Sequence, residues 1–178
     1  MLRKLLYSIF LMAVLFPGTV SAEGKYYGMD AMLVTYSEAG FPDFKPKVLG
    51  FKFGNQINAN IAIEGRFGLG LTDDTQNFCI ISCADLTFEI DNFLGAYMKF
   101  MPAGNETKLY GLLGFTKGKA SVSALGLSAT ESETDLSYGF GVEVKVSEDA
   151  GVNFEYLQAI DKDTFELSSI NIGFVSYF

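Results

Sequence analysis

Apolar and polar residues alternate with a period of two along most of this chain, the pattern of strands with two different faces. The longest clean run is 58–72, where Ile61, Ile63, Gly65, Phe67, Leu69 and Leu71 share one face. Ala62, Glu64, Arg66, Gly68 and Gly70 share the other. In 134–146, Leu136, Tyr138, Phe140, Val142, Val144 and Val146 stand opposite Ser137, Gly139, Gly141, Glu143 and Lys145. The run 86–100 sets Phe88, Ile90, Leu94, Ala96, Met98 and Phe100 against Glu89, Asp91, Gly95, Tyr97 and Lys99. The closing run sets Ile170, Ile172, Phe174 and Phe178 against Asn171, Gly173 and Tyr177. Four further segments fit the pattern less cleanly: 25–36, 47–55, 108–117 and 151–160. In 108–117, Tyr110 and Leu112 compete with Leu109, Leu113 and Phe115 for the apolar face, which leaves its facing open.

These runs predict eight strands, an even number. The predicted connections are 37–46, 56–57, 73–85, 101–107, 118–133, 147–150 and 161–164. The first, third and fifth are long, the second and sixth are tight, the fourth, with Pro102, Gly104 and Asn105, is an intermediate turn, and the last is short. Long and short connections in turn suit an up-and-down antiparallel barrel with both chain ends at one rim. The expected fold class is therefore all-β, an eight-stranded antiparallel up-and-down transmembrane β-barrel.

The N-terminus changes the expected location. Arg3 and Lys4 precede an apolar stretch, 5–16, that is too short to span a bilayer as a helix. Pro17 and Gly18 follow, and Val20, Ser21 and Ala22 place small residues where a signal peptidase cuts. The expected division is a cleaved signal peptide, 1–22, and an outer-membrane β-barrel domain, 23–178; a retained N-terminal anchor is the alternative. Cutting 22 of 178 residues leaves 156, enough for one domain. Losing Arg3 and Lys4 takes the net charge from −8 to −10, which argues against nucleic acid as a partner. It leaves room for divalent cations bridging the chain to anionic surfaces.

The facing of the strands separates a soluble barrel from a membrane barrel. A soluble barrel turns its apolar face inward, whereas a membrane barrel turns it to lipid and fills its interior with polar groups. The polar faces here carry many glycines beside charges of both signs, as at Glu64 with Arg66 and Glu143 with Lys145. Glycine inside a strand weakens a soluble sheet, but in a narrow lumen it makes room for long side chains to cross. The membrane barrel is the expected form.

The C-terminal segment Ile170, Asn171, Ile172, Gly173, Phe174, Val175, Ser176, Tyr177, Phe178 resembles the closing strand of bacterial outer-membrane proteins. The resemblance implies an assembly signal at Ile170, Ile172, Phe174 and Phe178, read by the barrel assembly machinery; Ser176 departs from it. The segment 93–100 resembles strands of the OmpA-like and OmpX-like small barrel families. That resemblance implies an integral outer-membrane protein of a Gram-negative cell envelope, with outer-membrane lipid around it. Two departures stand out: no Trp for an aromatic girdle, and no second domain of the peptidoglycan-binding kind.

Histidine is absent, which removes Ser-His-Asp chemistry and the commonest zinc ligand sets. No catalytic, cofactor-binding or metal-ligating residue is therefore expected, and no enzyme activity. Glu89 and Asp91 share a predicted strand face, but such pairs are common in an acidic chain. Cys79 and Cys83 enclose Ile80, Ile81 and Ser82, and export to an oxidising compartment makes a small-loop disulfide the natural expectation. Free thiols are the alternative, since so short a loop strains the bridge. Phe78, Ile80 and Ile81 form either a sticky external tip or a cap on the barrel mouth.

The sharpest expectation concerns the interior. Asp30, Lys52, Glu64 and Arg66, with Glu155 across the lumen, form a predicted charge network centred on Arg66 that plugs the barrel. Charges in a narrow dry space must pair, and eight strands enclose room for side chains only. The leading functional expectation is a structural role in membrane integrity. The alternative is a surface interaction or adhesion barrel meeting an extracellular partner through 73–85 and 118–133. A narrow channel and a soluble periplasmic lipocalin-like carrier are weaker readings.

Overall fold

A computed structural model of the chain describes residues 24–79, 83–102 and 107–178, with backbone only at 78, 79 and 83. The expected signal peptide and the loop tip 80–82 lie outside the described residues. Strand-forming alternation dominates: β1 is Lys25–Glu38, β2 Lys47–Asn58, β3 Ile61–Thr72 and β4 Asp74–Cys79. There follow β5 Cys83–Phe100, β6 Thr107–Ala124, β7 Leu127–Lys145, β8 Ala150–Asp161 and β9 Phe165–Tyr177. Every pairing is antiparallel.

Eight of these strands close a barrel. β1 pairs with β2 and, at the seam between the chain ends, with β9. β3 pairs with β5 from Ile61 opposite Phe100 to Leu69 opposite Asn92, which completes the ring. β4 is the ninth strand and pairs only with the first residues of β5, from Asp74 opposite Phe88 to Cys79 opposite Cys83. The Phe178 N–H donates to the Lys25 carbonyl, so both ends of the described chain sit at one rim.

The burial pattern is that of a barrel in lipid. On β1 the odd positions Lys25 to Leu33 point outward, while Tyr26, Gly28, Asp30, Met32 and Val34 are buried inside. Phe53, Phe140, Phe115, Ile170 and Leu94 lie on the outer surface, with Phe53 67% and Phe140 66% exposed. Leaving one such side chain in water forgoes roughly 1.5–3 kcal/mol of burial. A whole belt of them is stable only where the surroundings are apolar. Lys52, Glu64 and Arg66 are by contrast 2%, 1% and 4% exposed. This inversion excludes the soluble carrier.

Strand β6 resolves the facing that the sequence left open: Tyr110 and Leu112 are buried inside, and Leu109, Leu113 and Phe115 face outward. Three other expectations need correction. The second turn falls after Asn58, not at 56–57, because the Asn58 Oδ1 accepts the N–H groups of Asn60 and Ile61 and closes the turn there. Residues 73–85 and 118–133 are largely strand, not loop. β6 and β7 remain paired for seven residue pairs beyond Lys117 opposite Thr134, ending at Ala124 opposite Leu127. At ~3.3 Å per residue the hairpin reaches roughly 20 Å past the apolar belt. Its turn carries positive φ at Leu125 (52°) and Gly126 (79°), the twist that a two-residue hairpin loop requires.

The third correction is the phase of β5. A register shift between Ile90 and Asn92 lets Asp91 bulge, and the strand changes face there. Phe88 and Ile90 are therefore buried inside, at 3% each, rather than sharing the outer face with Leu94 and Met98.

Candidate functional site

Alternation alone sends alternate side chains of each strand into the lumen, and the register sets which of them meet. Lys52 on β2 stands beside Arg66 on β3, and Gly54 beside Glu64. On the far wall, Glu155 on β8 stands beside Asn171 on β9. Arg66 spans the gap: its Nε donates to Glu64 Oε1 at 2.5 Å, and its Nη1 and Nη2 donate to the two oxygens of Glu155, the second at 2.8 Å. The guanidinium carbon lies 4.9 Å from the centre of the Tyr97 ring. A planar fork with several fixed donors suits this double engagement in a way a lysine would not.

The acids are held by further donors. The Tyr26 hydroxyl donates to Glu64 (2.7 Å), the Tyr110 hydroxyl to Glu155 (3.0 Å) and Asn171 Nδ2 to Glu155 (2.9 Å). Lys52 Nζ donates to Asp30 (2.7 Å) and to Asn153 (2.9 Å), and Asn153 Nδ2 returns a bond to Asp30 (3.1 Å). The five residues singled out from the sequence thus form two adjoining groups, Arg66 with Glu64 and Glu155, and Lys52 with Asp30.

A third group was not foreseen. Lys99 pairs with Glu143 at 3.1 Å and sits 4.0 Å from the Tyr110 ring centre. The Tyr177 hydroxyl donates to Glu143 at 2.5 Å. The sequence paired Glu143 with its strand neighbour Lys145; the partner is Lys99 on β5, two strands away around the wall. Four buried carboxylates, Asp30, Glu64, Glu143 and Glu155, therefore face three buried cations, Lys52, Arg66 and Lys99. Each charge has an opposite partner, which makes this arrangement tolerable in a space with little water.

Glycines leave the volume for it. A Cβ on Gly54 would stand 2.0 Å from the Tyr26 ring, and one on Gly173 would stand 1.8 Å from Asp30 Oδ1. The room is used as much by tyrosine rings as by the cationic side chains the sequence suggested.

The remaining candidates are placed as follows. Asp91 pairs with Lys119 at 3.3 Å, at the outer end of the wall, and Glu89 is exposed. The backbones of Cys79 and Cys83 are directly paired, but the expected disulfide lies outside the described residues. Of the C-terminal residues, Ile170, Ile172, Phe174 and Phe178 all face outward, and Phe178 lies 5.9 Å from Tyr27 between ring centres. Among the described residues no cluster of acids and cysteines is arranged to hold a metal ion.

A closed eight-stranded barrel with an apolar outside and a paired, charged inside is an integral β-barrel of the outer-membrane class. Residues 8–178 match the family model of the outer membrane protein beta-barrel domain, and the chain belongs to that family. It is a protein of the bacterial outer membrane. Among solved structures, it is similar to Ail, the attachment invasion locus protein of Yersinia pestis, at 23% identity and a TM-score of 0.64. That likeness covers 88% of this chain and 99% of Ail. Neisserial surface protein A follows at 15% identity and 0.62, over 89% and 98% of the two chains. The N-terminal barrel domain of Pseudomonas aeruginosa OprF has 12% identity and 0.51, over 84% and 96%. No curated protein sequence matches the chain.

Proposed function

We propose that this protein is a structural, non-enzymatic component of the outer membrane, whose sealed barrel contributes to envelope integrity. The observation that carries the reading is the Arg66 group. One guanidinium bridges Glu64 on one wall to Glu155 on the opposite wall, and the Lys52 and Lys99 groups adjoin it. Bulky paired charges across a lumen this narrow oppose a continuous water path, which supports a sealed barrel over a channel. The absence of histidine supports the non-enzymatic reading.

The second reading is adhesion through the β4–β5 and β6–β7 hairpins. Ail has also been solved with the heparin analogue sucrose octasulfate. A similar polyanion suits this chain poorly. The outer-end stretches 37–47, 73–91, 117–135 and 161–166 hold thirteen carboxylates against five lysines. An extracellular partner for this face would be cationic or bridged by divalent cations.

The test is leakage of a hydrophobic dye through the outer membrane of a deletion strain. It is complemented with the intact barrel, or with one whose 73–85 and 118–133 segments are replaced by two-residue turns. A leak restored to normal by the trimmed, correctly assembled barrel is the expected result. No leak on deletion, or failure of the trimmed barrel alone, moves the function to the hairpins.

A further inference from the structure

Above the charge network the lumen changes character. Met32, Val34, Val48, Phe88, Ile90 and Phe93 are buried around an apolar cavity of about 560 Å³ in the outer half of the barrel. That volume falls in the range of small-molecule sites. The network lies beneath it, and the exposed Glu131 and Glu133 of the β6–β7 hairpin stand at its outer rim, so we call the cavity a cup.

Two features of the cup define an occupant. The first is an aromatic wall toward the mouth. Tyr36 stacks on Phe88 at 4.4 Å between ring centres and lies 5.6 Å from Phe165. The second is the charge of the rim. Glu38, Glu131 and Glu133 line the mouth, and the single lysine there, Lys119, is already paired with Asp91.

An apolar body, aromatic faces and carboxylates that make no ion pair among the described residues, Glu38 accepting the Tyr36 hydroxyl at 2.6 Å, together select a cation that carries a hydrocarbon. Aromatic rings hold ammonium groups through their negative faces, and rim carboxylates add attraction without requiring burial of the charge. We propose that the outer cup of the barrel is a binding site for an amphiphilic ammonium compound. Its hydrocarbon part fills the cavity among Met32, Val34, Val48, Ile90 and Phe93, and its cationic head lies among Tyr36, Glu38, Glu131 and Glu133. This site is separate from the structural role proposed above and does not depend on it.

The test uses the full-length barrel in phosphatidylcholine nanodiscs, whose surface carries no net charge to concentrate cations. Methyl resonances of valine, isoleucine and alanine are followed while hexyltrimethylammonium is added, with hexanoate and hexan-1-ol as controls. Saturable shifts at Val34, Val48, Ile90 and Ala120 are expected with the ammonium compound and not with hexanoate. Glu131→Gln with Glu133→Gln should weaken binding roughly tenfold, as two partly exposed charges are lost. Gly118→Leu should abolish it by filling the cup. A Cβ at Gly118 meets only Ile160 Cδ1, at an ordinary 3.5 Å, so the variant is compatible with assembly. Should it fail to assemble, Ala129→Leu at the mouth takes its place. Equal response to hexanoate, unchanged affinity in the double glutamine variant, or shifts confined to lipid-facing methyls would each overturn the proposal.

Discussion

Removing Arg66 is the most telling perturbation of the lumen. In Arg66→Met the hydrocarbon bulk is kept, while Glu64 and Glu155 lose their shared counter-charge. Two unit charges at the 2.8 Å between Nη2 and Glu155 Oε2 attract by about 6 kcal/mol at an effective dielectric of 20. The solvation that all three groups gave up offsets most of that gain in the intact protein. In the variant the gain is gone and the cost to the two acids remains, which gives a loss of about 3–5 kcal/mol. The bonds from Tyr26, Tyr110 and Asn171 persist and hold the loss toward the lower end. The assay is urea unfolding from phospholipid vesicles followed by far-ultraviolet circular dichroism, since the chain has no tryptophan to report fluorescence. Adding Glu64→Gln and Glu155→Gln to Arg66→Met should recover most of the stability, because no charge is then left unpaired. An Arg66→Met barrel within about 0.5 kcal/mol of wild type, or a triple variant no better than the single one, would refute the reasoning.

Gly54→Val should cost about 1–3 kcal/mol in the same assay, since its Cβ would stand 2.0 Å from the Tyr26 ring, while Gly65→Ala should cost less than 1 kcal/mol because a Cβ there meets no atom closer than 4.0 Å. Asp135 lies just beyond the apolar belt, where modest burial raises its pKa but the N–H groups of Asp161 and Leu136 and the Lys162 ammonium lower it more. A depressed folded pKa stabilises at neutral pH and is lost as pH falls through that value. Wild type should therefore melt above Asp135→Asn at pH 7, and the gap should close below the ordinary carboxylate range. Phe178→Ala should slow assembly into the outer membrane more than it lowers the stability of the assembled barrel, read by pulse-labelling against urea unfolding.

The sequence revealed most of the barrel because a period of two is what a wall between lipid and lumen demands. It failed where the period breaks without a signal. The bulge at Asp91 carries no glycine or proline, so nothing in 86–100 announces that Phe88 and Ile90 turn inward, and with them the apolar cup stayed hidden. The register shift between Gln158 and Ile160 is equally silent. The 118–133 stretch reads as loop because Ser, Thr and Ala fill both faces of a hairpin that stands in water, and its Leu125-Gly126 turn lacks the Asn-Gly signature. Asp30, Lys52, Glu64, Arg66 and Glu155 were legible as lumen residues from alternation. Their neutral partners Tyr26, Tyr110, Asn153 and Asn171 were not, because which side chains meet inside a lumen depends on register and depth. A continuous inward alternation from Tyr97 to Lys99 was the signal that could have added Lys99.

Single-channel recording in planar bilayers tests the sealed lumen most directly. The account predicts that the reconstituted wild-type barrel shows no conductance steps, because Arg66, Lys52 and Lys99 with their acids fill the cross-section. A steady, ohmic, single-barrel current through wild type would contradict it.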